Sequence, residues 1–215
     1  DYDFATANRN VLSQKAIAEQ IGVNQMTVCN WQRQAYIPQN LYWASKNIAK
    51  GIPQKIKITP NLLKLLGYYT AEGRRTGYTT QFVFGLHEKE LHQDCIFLMK
   101  NIFNVEPHLA PTTDNALRIS YNSKVLGDFF DKHCGNGSKN KHIPEFLWYL
   151  PKEYFLCYLE GWTKGDGCTT KEGKLTGCSI SKQLILEMAW LCSMHGLEAG
   201  IHHGKNKGGR IIRNK

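Results

Sequence analysis

The sequence predicts an α+β fold in which one order of elements, a helix, a β-hairpin, a second helix and further strands, occurs twice behind a small all-helical segment. Three observations carry this. The nonapeptide Leu65-Leu66-Gly67-Tyr68-Tyr69-Thr70-Ala71-Glu72-Gly73 returns as Leu159-Glu160-Gly161-Trp162-Thr163-Lys164-Gly165-Asp166-Gly167. Each copy is followed by a stretch suited to a hairpin and then by one with the period of a helix. Residues 1–50 instead show short helical periodicities punctuated by Gly22 and Pro38.

In chain order, residues 1–12 are polar and carry no pattern. Ser13 can cap a helix whose apolar Ala16, Ile17, Ala18 and Ile21 end at Gly22, and Asn24 can cap a second in which Val28 and Trp31 face inward. A small residue where helices cross, glycine at the corner and apolar anchors behind make residues 14–34 resemble a helix-turn-helix. The outward Gln25, Thr27, Asn30 and Arg33, with Asn24, are hydrogen-bonding types able to reach bases or phosphates. A third helix is expected over Pro38–Ala49, completing a domain at 1–50, with a linker at 51–58.

The remainder, 59–215, divides into halves at 59–149 and 150–215. Thr59 can cap the first repeated helix and Pro60 suits its first position, as Pro151 does for the second. Arg74–Gly77 reads as a turn, and Tyr78–Gly85 alternates with Phe82 and Phe84 on one face. A helix over 87–103, strands near 105–110 and 115–121, and a helix over 123–133 follow. Residues 135–144 are basic and too polar for a core. After the second copy come a hairpin through 168–181, a helix over 182–195 and strands near 198–203 and 209–213. Alternation places Thr79, Gln81, Arg118, Ser120, Ser179, Ser181, His202 and Arg210 on outward faces.

Gly67 with Ala71, and Gly161 with Gly165, strip one face of each repeated helix, so that two helix backbones can approach closely. Each copy then ends on an acid, Glu72 or Asp166, at a helix C-terminus, where a negative charge is unfavourable by roughly 0.3–1 kcal/mol. Two such helices side by side bring the acids together. A divalent cation bound by hard oxygen ligands would turn that repulsion into attraction.

The paired nonapeptides resemble the two motifs of the LAGLIDADG homing endonucleases, in their intein-like, DOD-type branch. The resemblance covers roughly 60–215. It implies two pseudo-symmetric αββαββ halves packed through their motif helices, with metal held by Glu72 and Asp166, Mg²⁺ replaceable by Ca²⁺ or Mn²⁺. It implies hydrolysis of phosphodiesters in double-stranded DNA at a long, imperfectly palindromic site, by a monomer, with the outward strand residues forming a saddle on the major groove and the helix-turn-helix holding flanking duplex. Lys141-His142-Ile143-Pro144-Glu145-Phe146-Leu147 resembles a lysine-bearing block ahead of the second motif in intein endonucleases, which marks Lys141 as catalytic.

A net charge of +9 and a pI near 9.2 agree with a polyanionic partner. The 7 cysteines, an odd number without a Cys-x-x-Cys pair, are expected reduced in a cytoplasmic setting. A zinc site from His133, Cys134, Cys168 and Cys178 matches no known module spacing. No apolar run is long enough to span a membrane. A catalytically inactive LAGLIDADG-type transcription regulator is the alternative, though both acids are kept here. RNA maturation is a weaker one. Self-splicing would need Cys or Ser first and His-Asn last; the chain begins Asp1-Tyr2 and ends Asn214-Lys215, so the endonuclease part of an intein is expected.

Overall fold

The computed structural model describes residues 1–38, 52–53, 55–169 and 175–202. The helix expected at 38–49, the strand at 209–213 and Arg210 thus fall outside the described residues, Pro38 apart. Mixed α+β architecture is observed, as expected.

Three short helices, α1 (Tyr2–Ala7), α2 (Gln14–Ile21) and α3 (Gln25–Gln32), form one small core of Ala5, Ile17, Ala18, Val28 and Trp31. Ser13 accepts from the Ala16 amide at 3.2 Å, Asn24 from Met26 at 2.8 Å, and Gly22 turns the corner at φ +69°. α1 was not expected. It is 6 residues long, under two turns, so periodicity could not reveal it. Tertiary contacts hold it: Tyr2 meets the Trp31 ring edge-on at 5.7 Å, and the buried Gln32 amide donates to the Ala5 carbonyl at 2.9 Å.

The larger core begins with Ile52, which is buried, and Ile56, which packs against it. This part of the expected linker is therefore docked. Helix α4 (Pro60–Glu72) leads straight into β1 (Gly73–Thr76), β2 (Thr79–Gly85), α5 (Lys89–Phe103), β3 (His108–Pro111), β4 (Ala116–Asn122) and α6 (Lys124–Cys134). The four strands form an antiparallel sheet in the order β1-β2-β4-β3. Thr80, Phe82, Phe84, Ile119 and Tyr121 face the helices and are buried.

β1 corrects the expected turn at 74–77, which is confined to Gly77 and Tyr78. Its inward position holds Arg75 instead of an apolar residue, so alternation was invisible. The guanidinium is matched there by Asp128 and Asp131, each at 2.8 Å.

A 3-10 turn (Glu145–Tyr149) precedes α7 (Lys152–Asp166), which runs into the short hairpin β5 (Gly167–Thr169) and β6 (Leu175–Gly177) and then α8 (Lys182–Met194). The hairpin ends before Cys178, and residues 198–202 form no strand, both shorter than expected. Phe155, Tyr158, Trp162, Leu184, Met188 and Leu191 share the core of the first half. Among the described residues no helix is long and apolar enough to cross a membrane.

Candidate functional site

The repeated helices α4 and α7 pack face to face, and their glycines decide how closely. A Cβ at Gly67 would overlap the Tyr158 carbonyl oxygen and lie 2.7 Å from the Trp162 nitrogen; one at Gly161 would overlap the Lys64 carbonyl. At Gly165 it would lie 2.5 Å from the Ala71 Cβ and 3.0 Å from the Glu72 Cγ. All four expected small residues thus stand in the seam, and the last two bring the ends of the helices together. Tyr158 stitches the seam by donating to the Thr70 hydroxyl at 2.8 Å, with Thr70 in turn donating to the Leu66 carbonyl. On its flank Lys64 pairs with Asp94 at 2.8 Å and Glu160 at 3.3 Å.

Glu72 and Asp166 are the last residues of the two helices, each followed by a glycine that already opens a strand. Gly73 and Gly167 have extended backbones rather than left-handed caps; a side chain on them would run into Tyr69 or Thr163. Burial, then the charge of Asp166 and of Glu88, pushes the Glu72 carboxyl up to about 7 against the pull of Lys141. Burial pushes Asp166 up to about 6, again opposed by Lys141. Burial and mutual repulsion thus hold both carboxyls above the usual carboxylate range, and the two titrate as a pair. Neither carboxylate accepts a hydrogen bond from a described residue.

Lys141 corrects the expectation that residues 135–144 are too polar for a core. Its side chain is buried at 3% exposure, and its Nζ donates to the carbonyls of Tyr69 at 2.6 Å and Gly73 at 2.8 Å. The ammonium also lies over the Tyr69 ring, 4.0 Å from its centre. It therefore binds one carbonyl in the last turn of α4 and one just beyond it, where a cation is favoured. Burial pulls its pKa down to about 8, while Cys134, Asp131, Asp166 and Glu72 hold it up. The loop is shaped by Gly135 at φ +72° and strapped to the edge strand by Asn136, which exchanges hydrogen bonds with the Arg75 backbone. Glycines and polar residues hid this ordering from the sequence.

On the sheet, Thr79, Gln81, Arg118 and Ser120 lie on the face away from the helices, in register as Gln81 opposite Ser120 and Val83 opposite Arg118. Arg74 and His108, which sequence reading missed, extend the Gln81–Ser120 row to both sheet edges. Arg74 donates to Gln81 Oε1 at 3.0 Å. Ser120 has only 8% exposure, so it is a floor to the row.

The second half differs. Ser181 is on no strand and fully buried: its hydroxyl caps α8, accepting from Leu184, and donates to the Lys141 carbonyl at 2.6 Å. It has no open face. Ser179 stands in the same turn, accepting from the Ser181 amide. His202 is exposed without a strand. On α3, Gln25 and Arg33 are exposed and Thr27 and Asn30 half-buried, whereas Asn24 is occupied as a cap. Cys134 is buried against the Leu66 carbonyl while Cys168 and Cys178 are exposed. Among the described residues no three His, Cys, Asp or Glu side chains gather as a metal group.

No family profile matches the chain. It is 36% identical over 127 residues to an uncharacterised protein of Methanocaldococcus jannaschii, covering 56% of this chain and 16% of that one. It is 28% identical over 155 residues to a glutamine–fructose-6-phosphate aminotransferase of the same organism, covering 69% of this chain and 14% of the enzyme. It is also 28% identical over 151 residues to a DNA polymerase of Thermococcus kodakarensis, covering 67% and 9% respectively. The chain thus spans less than a fifth of the length of each of these relatives.

Proposed function

We propose that the chain is a site-specific, metal-dependent double-strand DNA endonuclease of the LAGLIDADG homing type, the endonuclease part of an intein. The observation that carries this is the convergence of one unpaired, hard-to-ionise carboxylate from each of two repeated helices beside a buried lysine. Carboxyls raised by burial and by a neighbouring charge mark candidate functional sites. The relatives add support. An aminotransferase and a DNA polymerase share no chemistry, so a segment similar to a small part of both reads as a module with a purpose of its own.

Glu72 and Asp166 fit a hard divalent cation, which typically takes one or two carboxylates and fills its other positions with water and phosphate oxygens. When bound, Mg²⁺ neutralises the paired acids and supplies Lewis acidity to the scissile phosphate. The protein's own groups do the rest. A neutral Lys141 amine has two N–H groups, and the Tyr69 and Gly73 carbonyls accept both. Its lone pair is left over, so it can take a proton from attacking water without breaking either bond. As an ammonium it steadies charge growing on phosphate. In this reading each repeated helix brings one acid to the attack on one strand, while Arg74, Gln81, Arg118 and Thr79 lie along the major groove.

Cleavage of a randomised plasmid library in Mg²⁺, with EDTA as control, tests this. Double-strand cuts at a long recurrent site are expected. Site-specific binding with no cutting in any divalent metal would overturn the nuclease and leave the regulator.

A further inference from the structure

Lys141 is held from two sides by different halves of the molecule. Its ammonium rests on the end of α4, but its backbone is fastened to α8: the buried Ser181 hydroxyl donates to the Lys141 carbonyl at 2.6 Å, and Glu187 Oε2 accepts from the Ile143 amide at 2.9 Å. Ser181 also caps α8 through Leu184 at 3.2 Å, and Gln183 steadies Glu187 Oε1 at 2.8 Å. Both anchors thus sit on one rigid element. Ile143, with 2% exposure, is plugged into the shared core between them.

We propose that Ser181 and Glu187 are positioning residues that clamp Lys141 to the N-terminal part of α8, so that the lysine reaches its place only when the second half is docked. The clamp explains why a long side chain is fixed on the Tyr69 and Gly73 carbonyls, on either side of Glu72, although its segment is rich in glycine and asparagine. A freed backbone would let the side chain sample many rotamers, and a displacement near an ångström suffices to spoil catalysis. The proposal rests on the nuclease reading for its catalytic consequence alone; the clamp itself is read independently.

The experiment measures acetylation of Lys141 by acetic anhydride at one pH, quantified by mass spectrometry against the exposed Lys139, in the full chain and in Glu187→Ala, Ser181→Ala and Ser181→Thr. Glu187→Ala leaves the α8 cap intact, so it is the variant that guards against a general loss of fold. Protection of Lys141 should fall about tenfold in Glu187→Ala, as befits the one hydrogen bond lost to its segment, and at least as far in Ser181→Ala, which also loses the α8 cap; Ser181→Thr should restore it. Glu187→Ala and Ser181→Ala, but not Ser181→Thr, should slow single-turnover cleavage while DNA affinity stays within about threefold. Undiminished protection in a folded Glu187→Ala protein overturns the clamp, and lost protection with normal cleavage once bound overturns the positioning role. Should the wild-type chain cut no DNA, the protection arm alone decides, so the two readings fail separately.

Discussion

At the scale of single residues, the acids and the lysine at the ends of α4 and α7 make opposite demands on pH. The folded-state pKa values of Glu72 and Asp166, about 7 and about 6, lie above their unfolded values. The metal-free fold therefore binds their protons more tightly, and this contribution to stability is lost as pH rises through that window. Glu72→Gln should raise the melting temperature of metal-free protein at pH 8 by about 3–6 °C and by less at pH 5; calorimetry at both pH values checks it. The same substitution, or Asp166→Asn, should abolish double-strand cleavage yet preserve specific binding in Ca²⁺, and undiminished cleavage would remove both from the site. Lys141→Ala should slow single-turnover cleavage by about 10²–10³-fold with affinity nearly unchanged. A normal rate once bound would show that this lysine only caps α4.

Elements differ in what their glycines do, and substitutions separate the cases. Gly161 is required by proximity: a methyl group there meets the backbone of Lys64, which cannot turn aside. Gly161→Ala should push α4 and α7 apart and cost about 3 kcal/mol or more, read as a lower urea midpoint of the large core. Gly22 is required by conformation: open space surrounds it, but its φ of +69° suits glycine. Gly22→Ala should cost only about 1 kcal/mol, confined to the small core of α1, α2 and α3. Equal destabilisation by the two would contradict the close helix seam.

For the whole molecule, the small helical core and the large core have no residue in common among the described residues. A chain starting at Ile52, which keeps the docked Ile52 and Ile56, should therefore fold. It should bind long DNA sites about 10²-fold more weakly than the full chain, through loss of a tethered second contact, and still cut at the same position. Footprinting should lose protection on one flank. An unchanged footprint and affinity at matched salt would make α1–α3 a structural or protein-contact unit, and Gln25, Thr27, Asn30 and Arg33 would lose their assigned role.

The sequence by itself determined what depends on local pattern. The repeated nonapeptides marked both helices and their small-residue seam, Ser13, Asn24 and Thr59 marked caps, and alternation in β2 and β4 chose the correct faces for Phe82, Ile119 and their outward neighbours. Tertiary structure alone decided the rest, wherever a residue's partner is distant in the chain. Arg75 can occupy a buried strand position because Asp128 and Asp131 come from α6, and α1 exists because Trp31 and Gln32 receive it. Ser181 looks like an exposed strand residue until the chain folds and places the Lys141 carbonyl against it. Lys141 itself is legible as a lysine of interest, but its burial on the end of α4 and the depressed pKa that follows arise only when two halves of the chain close around it. Desolvation and long-range hydrogen bonding have no local signature.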